Sequence, residues 1–184
     1  MPALIYSMSV SLDGYIAGPD GAIDWGAPDE ELLRFHTEQT RELTGHLTGR
    51  RLYEGMLVWE TAEQAFTDPM ALEFAHVWKA IPKVVFSTTL TAVEGNARLA
   101  RGNAADEAAE LKTQPGAGLV SVGGAGLAAC LVEKDLIDEY RLFVSPVMLG
   151  GGTPYFPPLP TKLDLELIET RAFSQVVYLR YRRR

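Results

Sequence analysis

Short apolar runs and amphipathic stretches alternate along the first two thirds of the chain. The runs at 3–10, 83–87 and 118–122 are apolar and partly β-branched, which predicts buried strands. An acidic first turn at 29–31 predicts a helix that carries Leu32, Phe35 and, later, Leu43 on its apolar face. Further helices are predicted from Asp68-Pro69, over 103–112 and over 127–134. Strands that alternate with helices indicate an α/β fold with a largely parallel sheet.

The last third of the chain has a different pattern. Strands are predicted at 140–144, 163–169 and 176–182, with no helix between them. We therefore expect antiparallel strands on one side of the sheet, which makes the sheet mixed. A long loop is expected from Asp13-Gly14 to about Pro28. No linker divides the chain, so residues 1–184 are expected to form one domain.

The composition narrows the class of protein. A chain of 184 residues with 47% hydrophobic content is long enough to bury a core without metal or disulfide support. The net charge of -7 argues against a nucleic-acid binder. One cysteine excludes an internal disulfide and a multi-thiolate metal site, and the three histidines have no second ligand at helical spacing. Short apolar runs and a start unlike a signal peptide predict a cytoplasmic protein without metal or membrane contact.

Two glycine-containing turns join predicted strands to predicted helices. One is Val122-Gly-Gly-Ala-Gly-Leu127 and the other is Thr48-Gly-Arg-Arg-Leu52. Glycine lets the backbone approach a phosphate closely, and a helix N-terminus offers unpaired N–H groups. Two such turns could bind the two ends of one dinucleotide, with Arg50 and Arg51 adding the fork geometry that suits phosphate. Neither spacing is a known fingerprint, so a plain tight turn is the alternative for each turn alone.

Carboxylates gather around the first long loop. They are Asp13, Asp20, Asp24, Asp29, Glu30 and Glu31. This loop follows the carboxyl end of the first strand, where ligands bind in open α/β sheets. A carboxylate there could donate a proton or anchor a substrate, while capping a turn or a helix is the alternative for each one.

Five segments occur in an order that resembles a known superfamily. They are Ser9-Val-Ser-Leu-Asp-Gly-Tyr-Ile-Ala17, Gly49-Arg50-Arg51, Val85-Phe-Ser-Thr88, Val122-Gly-Gly-Ala-Gly126 and Val144-Ser-Pro-Val-Met-Leu-Gly-Gly-Gly-Thr-Pro154. Together they resemble the dihydrofolate-reductase-like superfamily, and within it the branch that contains the reductase domain of bacterial riboflavin biosynthesis. The resemblance implies a three-layer αβα domain around a mixed sheet, a homodimer, and NADPH bound in an extended pose.

The resemblance also implies roles for individual residues. The implied cofactor contacts are Ser9, Ile16 and Ala17 at the nicotinamide; Gly49, Arg50 and Arg51 at the pyrophosphate and 2′-phosphate; Ser87 and Thr88 at the adenosine; and Gly123, Gly124, Ala125, Gly126 and Leu127 around the pyrophosphate. The implied substrate contacts are Trp25, Gly151, Gly152 and Thr153, although a plain loop between two strands is the alternative for the glycine run. Asp29 or Glu31 is expected to deliver the proton, with water as the alternative.

Three departures narrow the activity. Leu52 stands where folate reductases usually have a threonine, and leucine cannot donate to a phosphate. Trp25-Gly-Ala-Pro28 is followed by three acids rather than by one clear proton donor, and no arginine can be placed against a folate tail. One cysteine cannot supply the zinc site of the deaminase half of bifunctional riboflavin enzymes. Folate reduction and deamination are therefore disfavoured.

The combined pattern predicts an NADPH-dependent oxidoreductase that transfers hydride to a C=N or C=O bond of a small substrate. The activity it most resembles is reduction of 5-amino-6-(5-phosphoribosylamino)uracil. The alternatives are a pterin or small-carbonyl reductase and a non-catalytic NADPH-binding dimer. An edge left by the late strands supports the expectation of a homodimer, because sheet edges are usually covered or paired.

Overall fold

The computed structural model describes residues 1–159 and 162–184. The strands are β1 (Ala3–Ser11), β2 (Tyr15–Ala17), β3 (Leu43–Gly49), β4 (Lys83–Phe86), β5 (Ala97–Leu99), β6 (Leu119–Gly123), β7 (Glu139–Ser145), β8 (Thr153–Pro154), β9 (Leu165–Ala172) and β10 (Val177–Arg183). The helices are α1 (Glu30–Arg41), α2 (Arg50–Met56), α3 (Ala62–Ala65), α4 (Pro69–Ala80), α5 (Ala104–Thr113) and α6 (Ala125–Glu133), with one 3-10 turn at Leu57–Trp59.

Eight of these strands form one mixed sheet in the order β5-β4-β3-β6-β1-β7-β10-β9, while β2 and β8 form a separate antiparallel ribbon. The strands from β5 to β7 are parallel, and β10 and β9 are antiparallel. The prediction of late antiparallel strands is confirmed for β9 and β10 but is wrong for β7, which pairs parallel with β1. The reason is that α6 connects β6 to β7, and a strand–helix–strand unit places its strands parallel.

Local sequence sets where the helices begin. Asp29 caps α1 by accepting a hydrogen bond from the N–H of Leu32 at 2.9 Å. Asn103 caps α5 in the same way, and Pro69 occupies the first turn of α4. These caps satisfy donors that have no partner inside the helix, so the predicted starts agree with the structure.

The end of α1 differs from the prediction. The helix ends at Arg41, so Leu43 does not extend its apolar face and instead begins β3. Thr44 and Gly45 have poor helix propensity, and the chain here gains ladder hydrogen bonds with β6. The strand predicted to lead into the Thr48-Gly49 turn therefore begins at Leu43.

Helices cover both faces of the sheet and make three layers. On one face the core joins the central strands to α5 and α6; its buried members include Leu4, Tyr6, Ala108, Val120, Val122, Ala128 and Leu131. On the other face Leu32 and Phe35 of α1 pack against Phe143 and Tyr178. The three-layer α/β architecture is therefore confirmed. No helix within 1–159 and 162–184 is long and apolar enough to cross a membrane.

Candidate functional site

One face of the central strands carries short polar side chains. Along β1, Tyr6 and Val10 lie in the core, whereas Ser7 and Ser9 point to the opposite face, as the two-residue period of a strand requires. Their small size leaves a cavity of about 250 Å³ beneath α1, which we name the inner cleft. Its lining includes Ser7, Ser9, His36, His46, Leu52, Ser121, Gly123 and Arg141.

His46 is a buried histidine in the lining of the inner cleft. Only 5% of it is exposed, and its Nδ1 atom has no hydrogen-bond partner among the described residues. Its ring lies edge-on to Trp78, with 5.1 Å between the ring centroids. Burial, followed by the positive charge of nearby Lys83, lowers the pKa of His46 to about 4. The imidazole is therefore neutral near pH 7 and offers one donor and one acceptor.

Arg141 is the buried cation of the inner cleft. In the sheet it lies beside Ser7, and its Nε donates to Glu139 at 2.5 Å. The same carboxylate accepts a hydrogen bond from Arg180 at 2.8 Å. One largely buried carboxylate is thus shared by two guanidinium groups, and Arg141 is the one of the two that lines the cleft.

The two glycine turns meet at the carboxyl edge of the sheet. Thr48 pairs with Gly123, which places Gly49 next to Gly124. A Cβ atom on Gly124 would lie 3.7 Å from the Gly49 nitrogen, and the φ of +99° at Gly124 is one that side-chain-bearing residues rarely adopt. Gly124 also starts α6 without a side-chain cap, so its first N–H groups are available to an anion. This pair of turns fits a pyrophosphate.

A second cavity, which we name the outer cleft, lies next to the Gly49 turn, because the residue after Gly49 is part of its lining. It has a volume of about 540 Å³ and its lining includes Arg50, Ser87 and Thr88, three residues predicted to contact the adenosine end of the cofactor. Arg50 donates to the Thr89 hydroxyl at 2.9 Å. Arg51 is exposed and lies outside this lining. The structure therefore brings Arg50, rather than both arginines, together with Ser87 and Thr88.

One rim of the outer cleft is fixed by Glu107. Its carboxylate accepts hydrogen bonds from Arg98 and from the backbone N–H groups of Arg101 and Gly102, and Gly102 lines the cleft. The hydrogen bond from Arg98 is the main reason that the pKa of Glu107 is lowered. This buried acid holds a loop in place rather than acting on a ligand.

Leu52 departs from the threonine usual at this position in folate reductases, and its place in the structure explains what it does instead. Its side chain lines the inner cleft and fills the space next to Gly123. A Cβ atom on Gly123 would overlap Leu52 and would lie 2.8 Å from Nε2 of His46. Leu52 therefore narrows the inner cleft and places only methyl groups beside Gly123, so it offers no donor to a phosphate there.

The first loop and the glycine run after β7 are joined. Ala17 pairs with Thr153 in the β2–β8 ribbon. Gly152 has a φ of +123°, and a Cβ atom there would overlap the backbone of Ala17 and Gly18. Gly151 lies against Pro19, and the Ile16 side chain is buried in the core. The later of the predicted nicotinamide residues (16 and 17) and the glycine-run substrate residues (151–153) thus share one ribbon, which we name the paired loops (15–19 and 150–154). Ser9 and Trp25 lie outside the paired loops.

The two acids predicted to deliver a proton lie outside both clefts. Asp29 caps α1 and accepts from the Ser174 hydroxyl at 2.5 Å, and this hydrogen bond is the main cause of its lowered pKa. Glu31 is 58% exposed at its side chain and forms an ion pair with Arg171 at 3.4 Å. Their catalytic roles stay predictions, and the contacts of both side chains favour structural roles.

Four more residues with predicted roles are Trp25, Ala125, Gly126 and Leu127. The indole Nε1 of Trp25 is buried and has no hydrogen-bond partner among the described residues. The next residue, Gly26, lies close to Ser9, since a Cβ atom on Gly26 would lie 3.8 Å from the Cβ of Ser9. Ala125 and Gly126 lie in the first turn of α6, whereas the Leu127 side chain is part of the core. Leu127 can therefore contribute only backbone groups to a ligand.

Sequence reasoning missed several inner-cleft residues. Ser7, His46, Ser121 and Arg141 line the cleft but carry no predicted role. One signal was available for Ser7, because Ser7, Ser9 and Ser11 alternate with Tyr6, Met8 and Val10 along β1. A strand buried on both faces would not carry a hydroxyl at every second position. The other three meet only through the strand order.

Two proteins of Bacillus subtilis (strain 168) are similar along nearly the whole chain. The uncharacterized protein YyaP is 31% identical over 182 residues, which cover 95% of this chain and 93% of YyaP. The uncharacterized protein YwjB is 32% identical over 179 residues, which cover 95% of this chain and 94% of YwjB. The similarity is therefore not confined to the glycine turns.

Two solved structures have the same fold. A protein of Shewanella sp. PV-4, described provisionally as a riboflavin biosynthesis protein, has a TM-score of 0.76, 26% identity and 99% coverage of both chains. A diaminohydroxyphosphoribosylaminopyrimidine deaminase/5-amino-6-(5-phosphoribosylamino)uracil reductase from Thermotoga maritima has a TM-score of 0.65 and 15% identity. It is matched over 56% of its own length and 99% of this chain, and at this identity the likeness shows the fold alone.

The family itself follows from a match along the sequence. A sequence profile of the RibD C-terminal domain matches residues 2–179. The match covers every strand of the mixed sheet except the last residues of β10, and it includes both glycine turns and the paired loops. The chain therefore belongs to the RibD C-terminal domain family, the riboflavin-reductase branch that its motifs resemble.

Proposed function

We propose that this protein is an NADPH-dependent reductase of a small substrate. The observation that carries the proposal is the contact between the two glycine turns, which lie between the inner cleft at Gly123 and the outer cleft at Arg50. A dinucleotide is the ligand whose middle is a pyrophosphate and whose two ends need separate cavities. The membership of the family, with its reductase-like fold, supports the same conclusion.

Each part of the nucleotide has a matching group in the chain. The turns at Gly49 and Gly124, with the N-terminus of α6, would hold the pyrophosphate. Arg50, Ser87 and Thr88 would hold the adenosine end, where a guanidinium favours a 2′-phosphate. Ser9 would lie at the nicotinamide end. When bound, NADPH supplies a hydride to the carbon of a C=O or C=N bond.

The chain's own contribution is to place the substrate and to exclude water from the inner cleft. The oxygen or nitrogen of the reduced bond takes up one proton, and water is the donor that we propose. Asp29 is held ionised by its hydrogen bonds and Glu31 is exposed in an ion pair, so neither is suited to the transfer.

The first substrate to test is 5-amino-6-(5-phosphoribosylamino)uracil, the compound named for the reductase part of the Thermotoga maritima relative. Pterins and small carbonyl compounds form the second group, and methotrexate is the competitor that would identify a pterin site. We also propose that the protein is a homodimer and acts in the cytoplasm as one domain. NADPH binding without oxidation by any of these substrates would favour a non-catalytic nucleotide-binding role.

Calorimetric titration with NADPH and NADH tests the proposal directly. We expect NADPH to bind at least tenfold more tightly than NADH, and Arg50→Ala to remove most of this difference. Arg51→Ala is the matched control, because Arg51 is the next residue along the chain, carries the same charge and does not line the outer cleft. Failure of both nucleotides to bind would mean that the glycine turns are only turns. An equal loss in both variants would remove the assignment of Arg50.

A further inference from the structure

The size of the inner cleft limits what it can hold. Its volume is about 250 Å³, whereas a protein cavity of about 150 Å³ binds benzene. One ring with short substituents therefore fits inside it, and the nicotinamide ring would lie at its open side, next to Ser9. Because the cleft is open on one side, a longer substrate would place its remaining part outside.

The floor of the inner cleft is formed by the central strands and carries a longer polar side chain on each side. His46 on β3 and Arg141 on β7 are three strand spacings apart, which is about 14 Å between backbones. Between them lie Ser7, Ser121 and Gly123, whose short side chains do not obstruct a ring. The ends of a bound ring would thus face the two longer side chains.

The charge in the inner cleft is positive on one side. Within the described ranges no Asp or Glu lines the cleft, although Glu139 lies behind Arg141. Glu139 is shared with Arg180, which also lies 3.8 Å from the half-exposed Glu169. Among the described residues, the Nε of Arg141 has a hydrogen-bond acceptor, but its two terminal amino groups have none. Guanidinium donors that line a cavity favour an anionic partner.

The His46 end of the cleft is suited to an uncharged ligand group that accepts a hydrogen bond. Lys83, the nearest cation, donates to the carbonyl oxygens of Trp78 and Ile81 and pairs with Glu60, so it is not available to a ligand. The ring atom of His46 beside the cleft is Nε2, which lies 2.8 Å from the position that a Cβ atom on Gly123 would take. A neutral imidazole can donate one N–H to a carbonyl oxygen of a ligand.

We propose that Arg141 and His46 select the substrate of the inner cleft, a single flat ring with an anionic group at the Arg141 end and a carbonyl oxygen at the His46 end. This inference rests on the proposed function, because it names the class of compound that the reductase would accept. It also predicts that pterins bind poorly, since their two fused rings exceed the space for one ring.

Three probes test the inference by calorimetry. 4-Formylbenzoate has the ring, the anion and the carbonyl group; 4-methylbenzaldehyde lacks the anion; and the anion of 4-methylbenzoic acid lacks the opposite carbonyl. In the wild-type protein we expect 4-formylbenzoate to bind at least tenfold more tightly than either of the others. Methotrexate is expected not to bind at the same concentrations.

Variants then assign each end of the ring. Arg141→Met should bring the affinities for 4-formylbenzoate and 4-methylbenzaldehyde within about twofold of each other. Arg180→Met is the matched control, because Arg180 shares Glu139 but does not line the cleft. His46→Met should remove the preference for 4-formylbenzoate over the anion of 4-methylbenzoic acid, and His46→Gln, which keeps an N–H donor, should restore part of it. A ligand-dependent change in the ¹⁵N shifts of the His46 ring gives a readout independent of turnover.

The outcomes separate this inference from the proposed function. Each titration is made with NADP⁺-saturated and with nucleotide-free protein, because bound NADPH would reduce the aldehyde probes. Failure to bind NADPH would reject the reductase while the probes still test the cleft. Equal affinity for all three probes, no binding at millimolar concentration, or the same loss in Arg180→Met as in Arg141→Met would overturn the inference. If Arg141→Met does not fold, the ranking of the probes by the wild-type protein decides.

Discussion

The carboxylate of Asp13 accepts a hydrogen bond from the backbone N–H of Gly150 at 2.7 Å, across 137 residues of chain. It also accepts from the N–H of Leu149 and, at 2.6 Å, from the hydroxyl of Ser11. These bonds, led by that of Ser11, lower the pKa of Asp13 to about 2. Asp13 therefore fixes the position of the glycine run relative to the first loop.

Replacing Asp13 should loosen the paired loops. The folded-state pKa lies below the ordinary value of 3.8, so the stabilisation by Asp13 is complete above about pH 4 and is lost as the pH falls from about 4 to 2. We expect Asp13→Asn to remove this pH-dependent contribution to stability. Amide exchange at Leu149 and Gly150 should become faster at pH 7. Asp24→Asn, in the same loop, should change neither. Unchanged exchange in Asp13→Asn would contradict the role.

Local signals in the sequence were sufficient for most of the helices and for both glycine turns. Asp29, Asn103 and Pro69 mark helix starts because capping needs only the next few residues. The parallel direction of β7 could also have been deduced, since the helix before it makes a strand–helix–strand unit. Strand β5 escaped because three residues give too short a pattern.

Long-range contacts explain what the sequence did not indicate about the site. Asp13 was one of six candidate carboxylates, and only its distance to Gly150 separates it from the others. His46 and Arg141 reach one cavity only because the sheet places β6 and β1 between their strands. A strand order is not encoded in any local spacing, so neither residue could be assigned before the fold was known.

Gly152 should be far more sensitive to substitution than Gly150. Both have positive φ values, +123° and +73°, but a Cβ atom on Gly152 would overlap the backbone of Ala17 and Gly18, whereas the space around Gly150 is open. Gly150→Ala should cost about 1–2 kcal/mol of unfolding free energy from backbone strain alone. Gly152→Ala should cost about 3 kcal/mol or more, because the overlap forces the paired loops apart.

Urea unfolding of the two alanine variants makes this comparison. The difference between them combines the overlap with Ala17 and Gly18 with the greater strain of an alanine at a φ of +123°. Weaker NADPH binding is also expected in Gly152→Ala, since Ala17 belongs to the predicted nicotinamide contacts. Equal destabilisation of the two variants would show that the β2–β8 ribbon does not hold the loops together.

Protonation of His46 should destabilise the folded state in mild acid. Its folded-state pKa, about 4, lies below the ordinary value of 6.5, so the unfolded chain takes up the proton first as the pH falls. Stability is therefore unaffected above about pH 6.5 and decreases from there towards pH 4, by about 2 kcal/mol between pH 7 and pH 5. Nearby Lys83 adds to this effect, while Glu60 pairs with Lys83 and opposes it.

Unfolding free energies at pH 7 and pH 5 check the sign and the size. His46→Gln should remove most of the part of the change in unfolding free energy between pH 7 and pH 5 that His46 causes. His36 also has a pKa lowered to about 4 by burial and should contribute in the same direction. His76 is exposed, so His76→Gln serves as the control and should follow the wild type. Greater stability at pH 5 than at pH 7 would refute the buried, neutral state of His46.

The outer edge of β9 is the surface on which the homodimer proposal can be tested. This strand pairs with β10 on one side only, and its Leu167 and Ile168 are 52% and 41% exposed. An unpaired strand with apolar side chains readily pairs with a second copy, whereas a lysine on the edge opposes such pairing.

Light scattering at micromolar concentration should therefore give twice the chain mass of 20.2 kDa for the wild type, and Leu167→Lys should lower it towards one chain. Ile23→Lys adds the same charge at an exposed apolar position of the first loop and should leave the dimer intact. A wild-type mass of one chain would reject the dimer, and a dimer that survives Leu167→Lys would place the interface elsewhere than β9.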